Sequence, residues 1–387
     1  MNRIKAIDFV RGLAMVIMAL DHVRDLIHVD SLSQSPIDMN TTTPILFFTR
    51  WITHLCAPTF VFLAGTSAYI SFRQQGNIAA SRKLLITRGL WLILLEFTVI
   101  NFAIFGDVNF HAPAFLVIAA IGFGFIILGV LLKVPAKILG IAGLAIIFLH
   151  NLLPLIPFAE GSTLKTILSP LFGPTAFPIT KEITFIMGYP PIPWLGVMLA
   201  GFGAGQLFSQ PQPARDGMFL KIGFSALAIF LVLRFINVYG DPVIWSTQKS
   251  SVFSFLSFMN VTKYGPSLLF CLVTLGIMFL LLASYDHLSK RLTNFFIVYG
   301  KVPLFYFIVH FYLIHFILIV VLKLQGIEWS QFEVATGTFG RPRNISTGLN
   351  LALIYLVWIG VVLIMYKPCE WFGRYKKEHK YWWLKYL

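Results

Sequence analysis

Two histidines and three charged residues crowd into eight positions, Asp21-His22-Val23-Arg24-Asp25-Leu26-Ile27-His28. On a helix, Asp21, Arg24, Asp25 and His28 follow i, i+3, i+4, i+7 and share one face. His22 lies 11 residues after Arg11, about three full turns. Asp8, Arg11, His22 and Asp25 therefore form a second polar stripe. A neutral imidazole can take a proton from an attacking hydroxyl or amine, or carry the transferred group itself. Asp21 is next to His22 in sequence, but helical neighbours point about 100° apart. Asp21 is better placed to orient a group on another helix.

A second cluster follows in Thr49-Arg50-Trp51-Ile52-Thr53-His54-Leu55-Cys56-Ala57-Pro58. Arg50 and His54 are one turn apart, and Pro58 leaves a backbone carbonyl without its donor near His54, which bends a helix there. Further candidates are Glu96 and Asn101, then Lys301, His310 and His315. The expected arrangement is one outward-facing pocket collecting His22, His54, Asn101 and His315, with Glu96 and His310 at its floor. Plainer readings stand beside it. His310 and His315 could be hydrogen-bonded packing residues, Lys301 a snorkelling side chain, and Asp8 with Arg11 a structural ion pair. Asp21 and His22 with Arg50 and His54 favour function. Four ionisable groups at matching depth on two neighbouring helices are hard to explain by packing.

These residues sit in a very apolar chain. Hydrophobic residues make up 57% and charged residues 12%, and the mean hydropathy is +0.80. No soluble core of this size hides so much apolar surface, whereas lipid tails solvate it. A bilayer-crossing helix needs roughly 20 apolar residues. Ten spans are expected: 5–28, 44–72, 84–104, 113–132, 137–157, 192–208, 219–237, 266–285, 296–322 and 348–366. The first is unusually polar, and its charges and lack of a small-residue cleavage site argue for a retained span over a signal peptide. The fold class is thus all-α, one polytopic domain over 1–387.

The basic residues set the orientation. Of 30, the tails and even-numbered loops hold 18 and the opposite, longer loops hold seven. The first group runs from Arg3 and Lys5 to the C-terminal lysines. This bias puts both termini in the cytoplasm and argues against nucleic acid as a partner, since the charge is not pooled in one patch. Segments 158–191, 238–265 and 323–347 are long enough to fold over the outer surface. The three cysteines are scattered, no histidine spacing suits a metal, and no phosphate-binding glycine loop or nucleophile elbow occurs. Gly122, Gly124 and Gly201, like Ala64-Gly65-Thr66-Ser67-Ala68, read as helix-packing positions.

The opening Arg3-Ile4-Lys5-Ala6-Ile7-Asp8-Phe9-Val10-Arg11-Gly12-Leu13-Ala14, continuing to Met18 and Asp21-His22, resembles the heparan-alpha-glucosaminide N-acetyltransferase catalytic-domain family. So do Pro58-Thr59-Phe60-Val61-Phe62 with Gly65 and Ser67, Ile192-Pro193-Trp194-Leu195-Gly196, and Tyr299-Gly300-Lys301-Val302-Pro303 with Tyr306 and His310. The resemblance implies transfer of an acetyl group from cytoplasmic acetyl-CoA to a sugar amine or hydroxyl on the far side, with a histidine at the centre. The family's proposed histidine lies in the loop after the first span. Residues 29–43 contain none here, so His22, His28 and His54 are the substitutes.

The expected roles follow. His22, Asp21 and His54 are the catalytic candidates. Arg11, Arg24, Asp25, His28, Arg50, Asn101, His310 and His315 would hold the acceptor. Arg82, Lys83 and Arg88, in a basic cytoplasmic loop region, would meet the phosphates of acetyl-CoA. The expectation is a transmembrane acyltransferase of the inner (plasma) membrane, surrounded by lipid and acting on an amino sugar or glycan. No metal is expected, and assembly into a homo-oligomer is left open. The rival reading is a transporter or exporter whose pathway the polar stripe lines. A third is a catalytically inactive partner subunit.

Overall fold

The computed structural model describes residues 4–155, 162–333 and 337–386. Arg3 and part of the outer segment 158–191 lie outside the described residues. Ten long helices correspond to the ten expected spans. They are α1 (Lys5–Ile27), α2 (Pro44–Gln75), α3 (Ile78–Phe105), α4 (Val117–Leu131) and α5 (Ala136–Leu153). After a short helix α6 (Thr163–Phe172) come α7 (Pro191–Ser209) and α8 (Gln212–Ile236). Beyond α9 (Ser251–Met259) lies α10 (Leu268–His287). Then come α11 (Lys290–Gly300), α12 (Pro303–Leu324) and α13 (Leu351–Glu378). Eight are long and apolar enough by themselves to cross a membrane. The charges of α1 and the 15-residue length of α4 keep those two outside that criterion.

The local chemistry explains the boundaries. Thr43, Asn77, Ser267, Ser289 and Asn350 each accept a backbone N–H of the first turn of the helix they precede. Gly76 and Gly106 end α2 and α3 at φ of +64° and +66°, where a side chain would be strained. Around Pro58, α2 tightens to a 3-10 turn over Ile52–Leu55, four residues upstream as the missing donor predicts. The span expected at 296–322 begins instead at Pro303, and 296–300 belong to the separate helix α11. The cause is Pro303, which forces Val302 out of helical geometry (φ −135°, ψ 53°).

Helix α1 is the axis of the bundle, in contact with α2, α10, α11, α12 and α13. Its crossing with α11 is unusually close. A Cβ on Gly12 would lie 1.8 Å from the Phe296 carbonyl oxygen, and one on Gly300 would lie 1.8 Å from that of Asp8. Helices α2 and α7 also meet through glycine, and the Thr66 hydroxyl donates to the Gly201 carbonyl at 2.9 Å. Small residues let these backbones approach, which is how apolar helices gain packing energy in lipid.

Ile4 and Lys5 border one common cavity with Lys376, Lys377, Lys380 and Leu384, so both chain ends lie on one face of the bundle, here the near face. The far face carries the long connections. There β1 (Ala114–Phe115) runs parallel to β3 (Thr184–Met187), and β2 (Thr175–Pro178) pairs antiparallel with β3. The helical bundle thus carries a small sheet, absent from the sequence expectation, because segments 106–116 and 173–188 are too polar and too rich in proline and glycine to continue as helix.

The charge bias predicts which face is cytoplasmic. Cys56, Cys271 and Cys369 are all buried and should stay silent to a membrane-impermeant maleimide. In intact cells Ser246→Cys, exposed on the far face, should label at once, and Asn77→Cys, exposed on the near face, only after permeabilisation. The reverse pattern would overturn the orientation.

Candidate active site

Two cavities open into the bundle, one in each half. The near-face cavity has a volume of about 1320 Å³, above the usual range of roughly 300–1,000 Å³ for small-ligand sites. The far-face cavity, about 440 Å³, lies within it. Phe60, Val117 and Phe307 line both, so the two cavities meet across an apolar septum at these residues. The polar stripe of α1 runs past the septum. Asp8 and Arg11 face the larger cavity, and His22 and Asp25 the smaller.

His22 is the centre of the smaller cavity. Its ring stacks on Phe311 at 4.1 Å between centroids and meets Phe307 edge-on. Its Nδ1 lies 2.7 Å from His310 Nε2, and His310 Nδ1 lies 2.8 Å from the Tyr306 carbonyl oxygen. That carbonyl can only accept, so His310 carries its proton on Nδ1. In a neutral pair His310 Nε2 is then an acceptor, and His22 must donate from Nδ1. The lone pair of His22 is left on Nε2, which has no hydrogen-bond partner among the described residues. A ring held in this tautomer is a proton acceptor aimed at the cavity.

Beside it lies a charge cluster, buried except at Asp25. Asp21 Oδ1 accepts from Arg24 at 2.8 Å, and Oδ2 accepts from Arg50 at 2.6 Å. Lys263 reaches the same Oδ2 at 3.5 Å. Arg24 also donates to Asp25 at 2.5 Å. Asp21, Asp25 and Lys263 line the cavity, while Arg24 and Arg50 stand behind them. Tyr189 and Tyr264, in edge-to-face contact at 5.7 Å, line the cavity as well.

The single pocket expected from the sequence is therefore not the one that forms. Glu96 accepts the Ala119 N–H at 2.9 Å and caps the first turn of α4. Asn101 pairs with both backbone groups of Ala114 and holds β1. His315 bonds the Ile104 carbonyl at 2.8 Å. His54 packs against Phe270, and His28 Nδ1 accepts the Asp30 N–H at 3.3 Å. None of these five lines either cavity. Each satisfies a local backbone or packing need, which periodicity along one helix cannot reveal. His310 sits behind His22 as its hydrogen-bond partner.

Sequence reasoning missed Lys263, which it counted only as a loop charge. The segment carrying Lys263 is held by Arg234, 1% exposed, which donates to the carbonyls of Val243, Ser257, Phe258 and Asn260. Arg341 does the same for the end of α1, donating to the carbonyls of Leu26, His28 and Val29. Burial lowers its guanidinium to about 10, so it stays charged at neutral pH.

In the larger cavity Arg11 donates to Ser67 at 2.9 Å and lies 3.8 Å from Asp8. Asp8 is the one acidic residue in the described lining. Against it stand Lys5, Arg11, Arg88 and Lys301, with Lys376, Lys377 and Lys380 of the C-terminal segment. Arg88 covers the Phe125 ring at 5.4 Å, and its buried Nε has no hydrogen-bond partner among the described residues. Arg82 and Lys83 are exposed and line neither cavity. They precede Arg88 on α3 by six and five residues, offsets that turn them to other faces of the helix.

Residues 3–233, well over half of the chain, match the family model described as heparan-alpha-glucosaminide N-acetyltransferase, catalytic. The match contains Asp8, Arg11, Asp21 and His22 and ends before the 299–310 block. No curated protein matches the chain. A multi-pass helical bundle with this match is a transmembrane acetyltransferase in its general type. The chain belongs to the heparan-alpha-glucosaminide N-acetyltransferase catalytic-domain family.

Proposed function

We propose that the protein moves an acetyl group from acetyl-CoA, bound in the larger near-face cavity, to an amino sugar or glycan hydroxyl held in the smaller far-face cavity. The observation that carries this reading is the pair of cavities meeting at Phe60, Val117 and Phe307, with His22 on the far side of that septum. The near-face cavity suits the donor because seven cations face one carboxylate in its described lining, and the buried Nε of Arg88 has no hydrogen-bond partner among the described residues. The far-face cavity suits a sugar. Its aromatic rings offer faces to C–H groups, and Asp21, Asp25 and Lys263 offer hydrogen bonds that fix orientation. The near face is then cytoplasmic, in an inner (plasma) membrane.

The chemistry is direct transfer with His22 as general base. As the acceptor nitrogen or oxygen attacks the thioester carbonyl, His22 Nε2 takes its proton. The new C–N or C–O bond forms, the C–S bond breaks, and His22 returns the proton to the departing CoA thiolate. His310 is a positioning residue, since it selects the tautomer that frees Nε2.

The test is incubation of the purified protein in nanodiscs with radiolabelled acetyl-CoA and a panel of amino sugars and glycan ends. Label recovered on an acceptor is the expected result. Binding of a sugar without acetyl-CoA binding or label transfer would favour the transport reading and overturn this one.

A further inference from the structure

We propose that the C-terminal segment 376–384 is a clamp for the nucleotide end of the acyl-CoA donor, with its lysines on the donor's phosphates. The proposal rests on the donor reading of the larger cavity. Lysines at the cytoplasmic end of a last span ordinarily do no more than fix topology. These side chains are not spread over the surface. After α13 the chain turns at His379, in extended conformation, and returns over the cavity mouth. Lys376, Lys377, His379, Lys380, Tyr381 and Trp382 all contribute to the lining. The returning segment is anchored. Leu384 is 4% exposed and joins the bundle core, and His379 stacks on Tyr375 at 4.1 Å.

The shape of the cavity assigns the ends of the ligand. Its inner end closes on the apolar septum Phe60, Val117 and Phe307, which matches the uncharged thioester end. Its mouth carries the lysines, which match the phosphates. Three ammonium groups within five residues make strong point charges with little demand on geometry. Trp382, 69% exposed, leaves a ring face open for a purine to stack on, while Tyr381 stacks on His379 at 5.4 Å and helps to hold the returning segment. An anionic lipid headgroup presents the same phosphate chemistry, so the experiment must separate the two sources.

The full-length protein is placed in nanodiscs of phosphatidylcholine, with and without phosphatidylglycerol. Binding of acetyl-CoA and acetyl-3′-dephospho-CoA is measured by titration calorimetry. The wild type should prefer the 3′-phosphorylated donor. The triple variant Lys376→Gln/Lys377→Gln/Lys380→Gln should bind it about 10–100-fold more weakly and lose the preference, in both lipids. Trp382→Ala should weaken both donors equally. Unchanged donor affinity and preference in the triple variant would overturn the clamp while leaving the donor cavity intact. A loss confined to phosphatidylglycerol nanodiscs and equal for both donors would assign the lysines to lipid headgroups, again overturning it. A wild type that binds neither donor would overturn the reading of the cavity as well.

Discussion

His22→Ala should lower the transfer rate about 10²–10⁴-fold, the usual worth of a positioned general base, while acetyl-CoA binding stays near wild type. The cations proposed to hold the donor lie in the other cavity, so donor binding and proton transfer should separate cleanly in this variant. His54→Ala is the comparison. Its ring lies on the next helix and packs against Phe270, lining neither cavity, so its loss of rate should be far smaller. Brief exposure to labelled donor without acceptor adds a second readout. Direct transfer predicts no protein-bound label, whereas label on wild type that vanishes in His22→Ala would make His22 the acyl carrier. A folded His22→Ala protein with near-normal turnover would remove His22 from the mechanism and move the role to His54, then His28.

Asp21→Ala should destabilise the bundle more than any other single change at the site. Asp21, 5% exposed, is the common partner of Arg24, Arg50 and Lys263. Removing it leaves Arg50 and Lys263 buried without a carboxylate in contact and Arg24 with Asp25 alone. Breaking a buried pair in this way costs about 3–5 kcal/mol. The measurement is the midpoint of thermal unfolding in detergent, compared with wild type. Asp21→Ala/Lys263→Met should recover part of the loss, because it removes one of the stranded charges along with its partner. A double variant no more stable than Asp21→Ala would mean that Lys263 lies outside the cluster energetically.

Composition alone settled the all-α membrane class, since no soluble core accommodates 57% hydrophobic residues in this pattern. Span positions followed from apolar runs, and the boundaries that shifted did so at identifiable residues such as Pro303. The stripe Asp8, Arg11, His22 and Asp25 was legible because helical periodicity is a local property, read from spacing without knowledge of any partner. The packing role of Gly65 and Gly201 was legible for a similar reason, since small residues in an apolar span have few other uses.

Only the tertiary structure decided which polar groups meet. A helix face does not name the element packed against it, so nothing in the spacing separated His22, open to a cavity, from His54 and His315, spent on packing and a backbone carbonyl. His310 reaches His22 across 288 residues and Lys263 reaches Asp21 across 242. Such pairings depend on how loops return over the far face, held there by Arg234 and Arg341 through carbonyls that any sequence supplies. The same holds on the near face. Lysines at the end of a last span carry the same charge whether they fix topology or border a cavity, and only the packing of the end of α13, with the turn at His379 that brings Lys380 back, sets them at its mouth.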